Sequence, residues 1–329
     1  MKKASNILVS VALSTVLWLW CALAAQAQTD AQLSQYWAVP AYYNPATIGL
    51  TDFIHISGGA RLQWVGIKHA PYTFMALADM PFRFFERRWG VGVRLQQENL
   101  GLYKSVQAAA QLAWKKNMLG GVLSVGVQPG MINQTFDGSL VEMPEGDEYH
   151  QSSSSDEAIP SGTVSGTSFD VAAGVAFHHR HWWAGASVTH ITAPVVTMKQ
   201  GESEEKQYEF NTDRTYYFMA GGNIPIKNTL FEVMPSMLFK TDLNFWQAEV
   251  TARLRYNKFL SAAVGYRYQD ALSVQVGAEF KNFFIGYNYD WPLSAIRVSG
   301  GSHEVFVSYN VKLDMGEKNR NSHKSIRIM

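Results

Sequence analysis

The residues able to do chemistry in this 329-residue chain are nine histidines, one cysteine and a scatter of acids. His178, His179 and His181 stand close enough in sequence to suggest a metal site. Neighbours on a strand point to opposite faces, however, and a metal needs convergent ligands. A polar turn explains the same three residues. His55, His190 and His303 could each serve as a general base, but the G-x-S-x-G elbow of a serine hydrolase is absent. Gly185-Ala186-Ser187 reads as a small-residue strand face. Between positions 132 and 166 lie Asp137, Glu142, Glu145, Asp147, Glu148, Asp156 and Glu157, with Ser152 to Ser155 and no Lys or Arg. A surface cation site and a solvated acidic loop both fit that run, and its spacing is not that of an EF-hand. Lys318, Arg320, Lys324 and Arg327 make the end of the chain basic, which suits anionic lipid, a periplasmic partner or a frayed polar terminus. The reading is a protein without catalytic residues, metal or cofactor.

The cysteine leads to the amino terminus. Cys21 lies inside the apolar run Ile7 to Leu23, behind Lys2 and Lys3 and just before Ala25-Gln26-Ala27. That order is a secretory signal over 1–27, with cleavage before Gln28. An uncleaved anchor is the rival. Lipidation would want a small residue before Cys21, where Trp20 stands. Cleavage removes the cysteine, so the exported chain would have no disulfide.

Composition narrows the class. Charged residues are 17% of the chain, against about 25% in ordinary soluble domains. Mean hydropathy is near neutral at -0.12. Disorder, a disulfide scaffold and a helical membrane bundle are all disfavoured. So is nucleic-acid binding, with 28 basic against 27 acidic residues. A soluble β-protein and a membrane β-barrel remain.

The dominant period is two. Leu260, Ala262, Val264, Tyr266 and Tyr268 alternate with Ser261, Ala263, Gly265, Arg267 and Gln269. About fourteen such segments run from 53 to 313, most long enough to cross a bilayer at a tilt, which takes about 9 to 11 residues. The long connections, 132–166, 193–213 and 291–302, all follow odd-numbered segments. Short polar turns, such as Glu86-Arg87-Arg88, Asn257-Lys258 and Lys281-Asn282, follow even ones. In an up-and-down antiparallel barrel that parity puts long loops on one side and short turns on the other, as in outer-membrane barrels. An even count brings both termini to the periplasmic side. Aromatics near segment ends, among them Trp89, Trp114, Trp246 and Trp291, fit interfacial girdles. The expected fold is therefore all-β: a transmembrane barrel over 53–313, after a signal peptide over 1–27 and a periplasmic segment over 28–52, with a basic periplasmic tail over 314–329.

One further set of residues is not explained by the strand pattern. Tyr43-Asn44-Pro45-Ala46 with Gly49, then Arg61, Gln63-Trp64, Gly66 and Pro71, resemble the amino-terminal signature of the PorP/SprF family of type IX secretion. Asp170, His190 and Ser302-His303-Glu304, with Gly265-Tyr266-Arg267 and Tyr289-Asp290, resemble its middle and carboxyl-terminal parts. The resemblance implies a non-enzymatic outer-membrane barrel of Bacteroidota, multi-pass, serving protein secretion or gliding. It also implies partners: other secretion components in the periplasm and outer membrane, and secreted cargo or a surface adhesin. The signature residues Asn44, Pro45, Ala46, Gly49, Arg61, Gln63, Trp64, Gly66, Pro71, Asp170, His190, Ser302, His303 and Glu304 are then structural or partner-facing. Two rivals stay open. A barrel of this size could be a channel for small or hydrophobic solutes, with Gly90, Gly92, Ala263 and Gly265 leaving room inside. A soluble periplasmic β-protein would separate from membranes on fractionation.

Overall fold

The computed structural model describes residues 30–141, 159–200, 207–294 and 298–313. The signal segment, most of the acidic loop and the basic tail lie outside them.

In chain order the strands are β1 (Phe53–Leu62), β2 (Tyr72–Phe84), β3 (Arg87–Leu100), β4 (Tyr103–Met118), β5 (Gly121–Asp137), β6 (Thr163–His178), β7 (Trp182–Thr189), β8 (Val195–Lys199), β9 (Gln207–Asn211), β10 (Thr215–Gly222), β11 (Ile224–Pro225), β12 (Phe231–Thr241), β13 (Trp246–Tyr256), β14 (Leu260–Arg267), β15 (Ala271–Phe280), β16 (Phe283–Pro292) and β17 (Ser302–Lys312). Fourteen of them close into one antiparallel barrel. Each pairs with its neighbour in sequence, except that β7 passes to β10 over the β8–β9 hairpin (Thr189↔Thr215) and β10 to β12 past the stub β11. Closure is by β1 against β17, from Phe53↔Lys312 to Leu62↔His303.

Burial runs opposite to that of a soluble protein. Val264, Val274 and Val276 are 55%, 52% and 53% exposed, while Gln275 between the last two is 2% exposed. The apolar half of each alternation faces outward as a continuous belt, and Gln96, Gln107, Gln111, Gln128 and Asn288 face in. In water that belt would be a large exposed apolar surface; in lipid it is the buried one.

Details of the sequence reading shift. The first strand ends at Leu62, because Trp64 takes φ 48° and Gly66 φ 99°, which turn the chain. The fifth strand runs on to Asp137 and the sixth starts at Thr163, which shortens the acidic connection. The loop expected at 193–213 is largely a hairpin. The longest connections, 138–162 and 190–214, do gather at the same end as 63–71 and 293–301. Turns 85–86, 119–120, 179–181, 257–259 and 281–282 gather at the other.

The greater change concerns the segment ahead of β1. It was expected as a periplasmic segment leading into the first strand. Residues 31–49 instead run through the lumen, from near the long-loop end toward the short-turn end where β1 begins. The main hydrophobic core is built around them: Leu33, Tyr36, Val39, Tyr42, Tyr43 and Ile48 pack on Leu77, Met219, Leu238 and Phe306 of the wall.

Candidate functional site

The segment folds as three tight turns: Tyr36–Ala38, a four-residue helical turn Pro40–Tyr43, and Pro45–Thr47. Pro40 and Pro45 each start a turn, where a missing N–H costs nothing and φ is preset. Asn44 caps the last one, its Oδ1 accepting from the Ala46 N–H at 2.9 Å. The Asn44 amide then donates to the Val175 and Ala186 carbonyls, at 3.0 and 3.2 Å. The wall must be bare there. A Cβ on Gly126 would stand 2.4 Å from Ala46 N, and one on Gly174 would stand 2.2 Å from Asn44 Oδ1. Gly90, which had suggested open lumen, lies against Ile48.

Backbone groups inside a barrel need partners, and inward side chains supply them. Gln111 donates to the Ala41 carbonyl at 2.8 Å, Arg94 to Tyr42 at 3.1 Å and Ser187 to Tyr43 at 2.8 Å. The Lys115 ammonium reaches the Ile48 carbonyl. Asp79 accepts from the Gly49 N–H at 2.6 Å. The plug is thus held by its main chain as well as by its apolar residues.

Toward the long-loop end the contacts become ionic. Arg61 donates to Asp290 at 2.6 Å, to Glu304 at 3.1 Å and to Ser34 Oγ at 3.1 Å. Arg267 donates to Glu249 at 2.9 Å, Asp270 at 3.0 Å and Ser34 Oγ at 2.6 Å. Ser34 Oγ in turn donates to Asp290 at 2.8 Å. The Glu304 carboxylate accepts the N–H groups of Ser34 and Gln35, both at 2.9 Å. Gln32 donates to Glu249 at 3.0 Å. Arg61, Arg267, Glu249, Asp290 and Glu304 are all buried. Together they form a clamp of two guanidiniums and three carboxylates around one serine.

The signature residues divide into three places. Asn44, Pro45, Ala46, Gly49, Arg61 and Glu304 belong to the plug or its clamp. Gln63, Trp64, Gly66, Pro71, Ser302 and His303 shape the rim beside it. There the Gln63 N–H donates to the Pro71 carbonyl at 2.9 Å and the Trp64 N–H to Ser302 Oγ at 3.1 Å. His303 faces outward to the Tyr287 hydroxyl at 2.7 Å. Asp170 and His190 form a separate pair, 2.8 Å apart, that ties the end of β7 to β6. Ser34, Gln32, Glu249 and Gln275 were not singled out as site residues. Alternation marks the last two as inward-facing, but only the fold shows that they meet the plug. Among the described residues no three of His, Cys, Asp and Glu converge as metal ligands.

A plugged, lipid-facing β-barrel is the class these features define. The family model for the type IX secretion system membrane protein PorP/SprF matches residues 25–309, and the chain belongs to that family. It is an outer-membrane barrel of the type IX secretion system. A search of curated proteins finds no match. Among solved structures, the chain is similar to a Pseudomonas aeruginosa FadL homologue, with 10% identity over 83% of this chain and 94% of that one, at a TM-score of 0.44. The P. putida toluene transporter TodX gives 8% identity over 84% and 94%, at 0.44. A Rhodopseudomonas blastica porin gives 7% over 78% and 98%, at 0.35.

Proposed function

We propose that the protein is a non-enzymatic docking barrel of type IX secretion. Periplasmic components of the machinery engage its short-turn end, and secreted cargo or a surface adhesin engages its long-loop end. The observation that carries this reading is the lumen: residues 31–49 run through it, bonded to the wall along their length, and obstruct a straight path from rim to rim. A conduit for diffusing solutes needs that volume free. A scaffold instead gains from it, because a segment bonded to several strands braces the wall. The rims also differ as docking surfaces should, with long connections at one and tight turns at the other.

Deleting the gene and measuring secreted cargo and surface adhesins tests the assignment. Loss of either supports it; unchanged secretion and surface display in a host without a second copy overturns it. Planar-bilayer recording tests the rival. The intact protein is expected to be electrically silent, and a stable open pore would favour a transport barrel.

A further inference from the structure

Beside the lower part of the plug, the short-turn half of the lumen contains a cavity. It holds roughly 1370 Å³ of empty space, part of it continuous with solvent. Its roof is the turn around Trp37 to Ala41. Its walls combine Leu77, Met234, Phe284 and Phe306 with one buried cation, Arg253.

Arg253 is 7% exposed and makes no ion pair among the described residues. Its guanidinium lies 3.6 Å from the Trp37 ring centroid, and Nη2 meets only the Met234 sulfur, at 3.1 Å. Its Nε–H is buried without an acceptor, as are those of Arg61 and Arg94, but their terminal nitrogens are paired. The other buried arginines are served differently. Arg61 and Arg267 hold carboxylates, and Arg94 holds three oxygen acceptors. The acids nearest Arg253 are committed elsewhere: Glu232 is bound by Arg255 at 2.5 Å, and Glu279 lies 3.9 Å from the same residue. His55 and Asp79, also lining the cavity, face each other at 3.4 Å. A guanidinium taken out of water without a counter-charge is costly, and its planar fork matches a carboxylate.

We propose that this cavity is a binding site for an amphipathic carboxylate that enters from the short-turn end. Its anionic head would pair with Arg253 beneath Trp37, and its apolar body would lie along Met234, Phe284 and Phe306. Three residues separate Arg253 from the turn at 257–259, so the head sits about 10 Å inside the rim at the rise of a β-strand. A free amphiphile and the carboxyl end of a polypeptide with apolar last residues share this chemistry.

Calorimetry on the full-length protein in nanodiscs, at the short-turn face, separates these sources. The probes are naphthylacetate with its neutral amide, and a tetrapeptide ending in two apolar residues with a free or amidated carboxyl end. At least one acid is expected to bind, with its amide about tenfold weaker or worse. Naphthylacetate binding better points to a free amphiphile, the peptide acid to a chain end. Arg253→Gln should lower the affinity of the acid to that of its amide. Equal binding of acid and amide by the unaltered chain overturns the proposal. So does failure of both acids to bind, or a folded R253Q protein with undiminished affinity.

Discussion

Arg61, 1% exposed, bonds two carboxylates and the plug's Ser34, so its removal leaves Asp290 and Glu304 short of charge. Breaking a buried pair from one side costs about 3–5 kcal/mol. Arg61→Met is therefore expected to loosen the plug and lower the melting temperature of the detergent-solubilised barrel. Gel mobility with and without heating reads the second effect, and channel activity in bilayers the first. A variant as silent and stable as the parent would remove the clamp from the account. The plug's phenols make a pH prediction. Burial raises the Tyr43 phenol well above the ordinary 10.0, with Tyr42 adding to it. Burial also raises Tyr36, with Glu249 adding. A raised value in the folded state means the stabilisation is complete below the unfolded value and lost as pH climbs past it. Stability should hold up to about pH 10 and fall above it, with Tyr36→Phe and Tyr43→Phe shrinking the fall. Alkaline melts with tyrosine absorbance would show this.

At the scale of elements, the plug and the wall carry matching exceptions: turns in one, glycines in the other. Gly174→Val puts carbon where Asn44 Oδ1 now sits, and the strand cannot retreat without breaking its ladder to β5 or β7. The expected result is a folded barrel with a displaced plug, visible as protease cleavage within 31–49 that the parent resists. Asn44→Ala removes the cap and two wall bonds, and should cost about 1–2 kcal/mol of stability. The strands were legible in the sequence because each alternation is long and its polar half is consistently small, amide or charged. The plug was not. Leu33, Tyr36, Val39 and Tyr43 are apolar like any core, but their turns are too short to show a period. The clamp was half legible. Arg61 and Glu304 stood out by family resemblance. Arg267 and Asp290 lay in stretches of the same resemblance, whereas Glu249 looked like an ordinary inward residue, since alternation gives a face but not which residue lies opposite across a lumen.

For the whole molecule, the reversed burial decides where it can live. Val264→Arg would put a charge in the middle of the outward belt, at an expected cost of about 2–4 kcal/mol of folding into a bilayer. Folding titrations in lipid vesicles would measure it, and a neutral result would mean that face meets no lipid. The seam adds a constraint of another kind. Arg61 on β1 and Glu304 on β17 are direct partners in the ladder that closes the barrel. Glu304 also grips the backbone of residues 34 and 35. The strand pair that closes the cylinder is thus also the one that fastens its contents, so a barrel whose last strand has not docked lacks part of the plug's latch.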